Sequence, residues 1–115
     1  MFRSALSGLV LCAMAFPALA ADGRQIFQFQ CKGCHAEASS PSAPTLKGVF
    51  GAKIAGRSDF SYSEALSAKV GVWDETNLDA FLTSPASFAP GTRMPIALSK
   101  PQDRAAVIAF LKSSK

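Results

Sequence analysis

Only one histidine, one tryptophan and one tyrosine occur among the 115 residues of this chain, together with three cysteines. His35 stands alone, so no second imidazole is available as a base opposite it. Cys12 lies within the first twenty residues, which leaves Cys31 and Cys34 for the rest, too few for a disulfide framework. Twelve basic residues against eight acidic give a formal charge of +4. They are scattered, and no run of them suggests a nucleic-acid-binding tail. There is no internal repeat, no alternating strand pattern and no domain boundary beyond residue 20. The long apolar stretch, Ala5 to Phe16, is short for a membrane span.

That stretch reads better as part of a leader. Arg3 supplies a positive n-region, Pro17 breaks the run, and Ala18-Leu19-Ala20 is an A-x-A cleavage site. Residues 1–20 are therefore expected to be a secretory signal peptide cut before Ala21, with an uncleaved anchor as the alternative. Leu11 before Cys12 is too large for a typical lipoprotein site, which argues against lipidation. Residues 21–115 make one small domain with a formal charge of +3, since Arg3 leaves with the leader. A chain of that size buries a modest core unless something else enlarges it.

What the domain does have is concentrated in Cys31-Lys32-Gly33-Cys34-His35. C-x-x-C-H is the attachment spacing of c-type haem. Each thiol adds to one porphyrin vinyl, and two intervening residues let both sulfurs reach from one backbone turn. The next residue, His35, is carried under the ring, where its nitrogen can bind iron. A bare C-x-x-C would also fit a redox dithiol or half a zinc site. Export suits this chemistry, because haem is attached outside the bacterial cytoplasm.

The remaining patterns predict an all-α domain of several short helices with long loops between them. Asp22 caps a helix running to about Gln30, and residues 37–44 read as loop. A brief helix is expected from Ser63 to about Ala68. A better one spans Asp74 to Thr83, with Leu78, Phe81 and Leu82 on one face and Pro85 ending it. Ser99-Lys100-Pro101-Gln102 fits a capping box for a last helix whose stripe is Val107, Phe110 and Leu111. Loops this long are unusual in a small domain unless they wrap a prosthetic group.

The inventory of iron ligands is short. After the leader, Met94 is the only methionine, and both cysteines are consumed by thioether bonds. His35 and Met94 are the best axial pair, with lysine as the competitor at high pH. A thioether favours reduced iron and raises the potential. Six-coordinate iron leaves no vacancy for substrate, so electron transfer is the expected chemistry. A lone methionine is ordinarily core filler, but Pro90-Gly91-Thr92-Arg93-Met94-Pro95 is a rigid, non-helical setting for one. Trp73 and Tyr62 are core aromatics with one polar end, and in a haem protein those ends could meet the propionates.

Taken together, these residues resemble class I cytochromes c, close to the mitochondrial and bacterial c2 type, over nearly all of residues 21–115. Gly23 and Phe27 match the family's first helix, which packs against an aromatic of the last, here Phe110. Residues 44–51 match the loop after the haem motif, and the resemblance implies that the Pro44 carbonyl orients His35. Phe60 to Ser63 and Trp73 match the propionate-binding aromatics, and residues 85–94 match the methionine loop, which sets Thr92 near the other propionate. Four departures stand out. Ala52 takes the place of a propionate-screening arginine, for which Arg57 is a candidate substitute. Phe81 takes the place of a tyrosine that reaches the methionine sulfur, Leu66 that of a polar residue near a buried water. The loop from His35 to Pro44 is also shorter.

The resemblance implies a monomeric, periplasmic, single-haem c electron carrier rather than an enzyme, without stable membrane insertion and without a nucleic-acid partner. Its donors would be a bc1-type complex or a periplasmic dehydrogenase, its acceptors a terminal oxidase or a photosynthetic reaction centre. Redox partners with acidic docking faces would meet Lys32, Lys47, Arg93 and Lys100; the bland alternative is an ordinary solvated basic surface. Three rival readings are a dedicated cytochrome c subunit of one dehydrogenase, a haem peroxidase-like enzyme, and a zinc protein using Cys31, Cys34 and His35.

Overall fold

The computed structural model describes residues 8–11 and 21–114. The expected signal peptide lies outside the described residues apart from 8–11, where Leu9, Val10 and Leu11 are exposed. Among the described residues no helix is long and apolar enough to cross a membrane.

Five helices follow one another among the described residues, with loops between them: α1 (Gly23–Gln30), α2 (Glu64–Ser67), α3 (Glu75–Thr83), α4 (Pro85–Phe88) and α5 (Pro101–Ser113). The only β pairing among the described residues is one antiparallel bridge, Lys53 to Val72. The all-α expectation is met. Three helix starts have a side-chain cap that the sequence announces: Asp22 accepts from the Arg24 and Gln25 amides, Ser63 from Leu66, and Asp74 from Asn77.

Two local expectations need correction. Pro85 ends α3 but also opens α4, where it takes the N1 position and Ser84 caps by accepting from the Ser87 amide. Proline lacks the amide that a first-turn residue does not need, so one residue serves both purposes. The capping box at Ser99 does not form. Pro101 is the first helical residue, so the cap falls on Lys100, which makes no side-chain capping bond. The start of α5 is held instead by Arg104. Its guanidinium donates to the carbonyls of Leu98 (2.9 Å) and Ser99 (3.2 Å) and to Asp79 of α3 (2.7 Å).

The core runs from Ile54 and Leu66 through Trp73, Leu78 and Leu82 to Val107, Ile108 and Leu111. The first helix contributes no fully buried residue to it. It attaches to α5 by close approach: Gly23 lies against the Ala106 carbonyl, and the Phe27 and Phe110 rings are 5.1 Å apart. This packing matters for the site, because Cys31 is the C-cap of α1.

Candidate haem site

The end of α1 turns sharply. The Cys31 and Lys32 amides both donate to the Phe27 carbonyl at 2.9 Å, and the Cys34 and His35 amides donate back to Cys31 at 3.2 and 2.8 Å. One tight turn therefore carries both thiols and the imidazole. Cys31 is buried, Cys34 is exposed, and they are not bonded to each other. Burial pushes the Cys31 thiol up from its ordinary range.

The loop from Ser39 to Thr45 positions the carbonyl that faces His35. Its ends are tied by the Ser40 amide to the Ala43 carbonyl (3.0 Å) and by the Thr45 amide to the Ser39 hydroxyl (2.9 Å). Pro44 is thereby fixed with its carbonyl 2.8 Å from His35 Nδ1. A carbonyl only accepts, so Nδ1 carries the proton and donates. The lone pair is left on Nε2, the form in which a histidine serves as a metal ligand.

These groups open onto one cavity of about 1110 Å³, counting its solvent-open mouth. Cys31, Cys34, His35, Pro44, Tyr62, Thr92 and Met94 all line it. Its walls are mostly apolar: Leu66 of α2, Leu78, Phe81 and Leu82 of α3, Val107 and Leu111 of α5. Met94 arrives on a strap without helical structure. Gly91 at φ +88° makes the turn before it, and the Met94 amide donates to Thr92 Oγ1 at 3.4 Å. The strap is anchored beyond Met94 by the Leu98 amide, which donates to the Leu82 carbonyl at 2.8 Å.

The polar lining lies toward solvent. Gln30, Ser42, Tyr62, Ser63, Thr92 and Arg93 are all at least partly exposed. Burial pushes the Tyr62 phenol above its ordinary value. Arg93 also closes the strap onto the preceding loop: its guanidinium donates to the Ser61 carbonyl and lies 5.4 Å from the Phe60 ring centre. Sequence reasoning missed this clasp, as it missed Arg104; an isolated basic residue carries no sign of which distant carbonyl it will meet.

Trp73 is the site candidate that the cavity does not include. Its indole is buried in an aromatic cluster, 5.2 Å from Phe81 and 5.7 Å from Phe88, and it touches the cavity wall through Phe81. Arg57 is likewise elsewhere. It forms a two-pronged pair with Asp59 (2.9 and 2.8 Å) at the surface, which holds the Asp59 carboxyl below its usual range. It does not line the cavity.

The residues present fit a covalent haem: two thiols in one turn, an imidazole of fixed tautomer, a thioether, apolar walls and polar groups at the open edge. A zinc centre fits poorly, since no three His, Cys, Asp or Glu among the described residues are grouped to hold a metal ion.

Comparison with known proteins points the same way. The family model described as Cytochrome c matches residues 20–115. The cytochrome c of Tetrahymena pyriformis is 46% identical over 96 residues, covering 82% of this chain and 87% of that protein. The cytochrome c2 of Rhodomicrobium vannielii is 43% identical over 93 residues, covering 77% and 74%. The chain spans about half (54%) of the length of cytochrome c homologs from Rickettsia species that it also matches. Among solved structures, cytochrome cH from Methylobacterium extorquens superposes with a TM-score of 0.73 at 36% identity, over 84% of this chain and all of the other.

Proposed function

The chain belongs to the cytochrome c family of electron carriers with one covalent haem c, and on that premise we propose that it is a monomeric periplasmic shuttle, exported and freed of residues 1–20. Cys31 and Cys34 would hold the haem through thioether bonds, and His35 and Met94 would ligate its iron. The observation that carries this reading is the convergence of those four side chains on one apolar cavity, with His35 Nδ1 committed to Pro44. The haem iron supplies a one-electron Fe(III)/Fe(II) couple. The chain's own residues exclude water with Leu66, Leu78, Phe81 and Leu82, orient the imidazole through Pro44, and present Tyr62, Thr92 and Arg93 to the propionates. Trp73 backs Phe81, and its indole N–H is the proposed donor to a propionate.

The partners proposed are a bc1-type complex or a periplasmic dehydrogenase as donor, and a terminal oxidase or reaction centre as acceptor. Of the four docking cations, Lys32 and Lys100 have no carboxylate partner among the described residues. Lys47 has only a loose, exposed partner in Glu37 at 3.5 Å, and Arg93 is committed to Ser61. Steering of an acidic partner falls mainly to Lys32, Lys47 and Lys100.

Substituting Met94→Ala tests the ligation. It is expected to abolish the weak far-red absorbance of a methionine–Fe(III) bond while leaving the covalent haem in place. A surviving band would overturn the assignment of Met94. The mass of the protein recovered from the periplasm checks the leader: residues 21–115 plus one haem are expected.

A further inference from the structure

The surface pair of Arg57 and Asp59 lines no part of the haem cavity, yet it ends a chain of polar contacts that leads to His35. The chain passes through the loop from Ser39 to Thr45, which closes on itself between the Ser40 amide and the Ala43 carbonyl at 3.0 Å. Ala43 and Thr45 are buried, and Thr45 is the only buried polar residue among the described residues. Its hydroxyl is used locally, accepting from the Lys47 amide at 3.3 Å. Its amide instead donates to the Ser39 hydroxyl at 2.9 Å.

A hydroxyl that accepts at its oxygen still has one proton to give. Ser39 gives it to Asp59, whose carboxyl is held below its usual range by Arg57 first and by the Ser39 hydroxyl as well. Arg57 grips the same carboxylate with two bonds, at 2.9 and 2.8 Å, which keep it ionised and in place. The Thr45 N–H and the Pro44 C=O belong to one peptide group, and that group is planar. Fixing the N–H on Ser39 therefore fixes the direction of the carbonyl that stands 2.8 Å from His35 Nδ1. It also strengthens that carbonyl as an acceptor, because each bond in such a chain polarises the next. All the donors point one way: His35 to Pro44, Thr45 to Ser39, Ser39 to Asp59.

The geometry points to Ser39 and Asp59 as positioning residues for His35, acting through the Pro44–Thr45 peptide, so that a surface carboxylate sets how strongly the Pro44 carbonyl pulls on the Nδ1 proton. A stronger pull makes the imidazole a more basic ligand, which favours Fe(III) over Fe(II) and lowers the reduction potential. The effect on the iron rests on the ligation by His35 proposed above; the chain of bonds does not. Glu37, just before the same loop, stands outside the chain, and its exposed carboxylate pairs with Lys47 at 3.5 Å.

The test uses the holoprotein, in which His35 supplies the only imidazole. Proton NMR of the reduced form follows the Nδ1 proton, and a redox titration gives the midpoint. Ser39→Ala removes the link without altering charge. Its Nδ1 proton should exchange with water about fivefold faster than the parent's, as fits the loss of one supporting hydrogen bond, and its midpoint should rise. Ser39→Thr keeps the hydroxyl and should restore both. Asp59→Asn should raise the midpoint in the parent and far less in the Ser39→Ala background, where the route to the iron is already cut. Glu37→Gln removes an equal charge and should leave the exchange rate unchanged. An unchanged exchange rate in Ser39→Ala overturns the positioning role, and faster exchange with an unchanged midpoint overturns its reach to the iron. An equal rise on Asp59→Asn in both backgrounds overturns the chain as its route, since the carboxylate then acts through space alone. If the oxidised parent lacks the strongly shifted ring protons of an iron-bound imidazole, the ligation of His35 falls instead. The exchange rates still decide the chain of bonds: faster in Ser39→Ala upholds it, unchanged overturns it.

Discussion

Replacing Gly23 by alanine should destabilise the domain although alanine is the better helix former. A Cβ built at Gly23 falls 2.1 Å from the Ala106 carbonyl oxygen and 2.6 Å from its carbon, with Phe110 Cβ at 3.1 Å. The first two are backbone atoms of a long helix and cannot rotate aside. To reach even 3.0 Å from that oxygen, α1 and α5 must separate by about 0.9 Å. Overpacking of this kind costs roughly 1–3 kcal/mol, and rigid neighbours put this case near the top. Alanine's helix propensity returns up to about 1 kcal/mol. The net is about 2 kcal/mol, and a domain of this size loses roughly 4–8 °C of melting temperature per kcal/mol. The expected fall is therefore about 8–16 °C in Tm, with guanidinium unfolding showing an unchanged slope. Because Cys31 caps α1, the shift should also disturb the Soret band. Gly33→Ala is the control: nothing lies within 4 Å of the place its added methyl would take and its φ is not positive, so it should stay within about 0.5 kcal/mol of the parent. A Gly23→Ala protein as stable as the parent would refute the close-approach argument.

Arg104→Gln should cost about 1.5–3 kcal/mol and weaken the far-red band, because a largely buried guanidinium joins Asp79 to the Leu98 end of the Met94 strap; a loss under about 0.5 kcal/mol would refute this. Burial raises the Tyr62 phenol above 10.0, so below pH 10 both folded and unfolded chains keep the proton, and above it the unfolded chain loses the proton first. Stability should therefore decline above pH 10, and Tyr62→Phe should flatten that decline in denaturant titrations; an unaltered slope would remove the phenol as its cause. Reduction by the physiological donor should slow as salt rises, and salt-independent rates would contradict docking through lysines.

What the sequence makes legible here is local chemistry. Asp22, Ser63 and Asp74 announce helix starts because each needs only its own next three amides. The haem motif is equally local: five consecutive residues form the turn that brings both sulfurs and the imidazole together. Long-range polar contacts are opaque. Nothing near Arg104 says that it will tie the start of α5 to the Leu98 and Ser99 carbonyls and to Asp79, and nothing near Arg93 points to a carbonyl 32 residues away. Pro44 became visible only through resemblance, since its carbonyl reaches His35 by way of bonds within the intervening loop that spacing alone does not reveal. For Trp73 the sequence shows a core aromatic with one polar end, and the structure adds the packing of its ring against Phe81 and Phe88.

The departures at Ala52, Leu66 and Phe81 have a common physical consequence. Leu66 and Phe81 give the cavity hydrocarbon where the resemblance sets polar groups, and Ala52 offers only its backbone, to the Trp73 amide at 2.8 Å. Arg57, the candidate substitute, lies at the surface paired with Asp59 and does not line the cavity. An apolar wall disfavours the form of the iron centre with the extra positive charge, which is Fe(III), and under the ligation proposed above it would act with the thioether to raise the potential. Leu66, Leu78, Phe81, Leu82, Val107 and Leu111 present only hydrocarbon side chains to the cavity. The polar lining stands instead at the exposed edge, with Tyr62, Ser63, Thr92 and Arg93 among it, and on the imidazole side, where the Pro44 carbonyl holds His35.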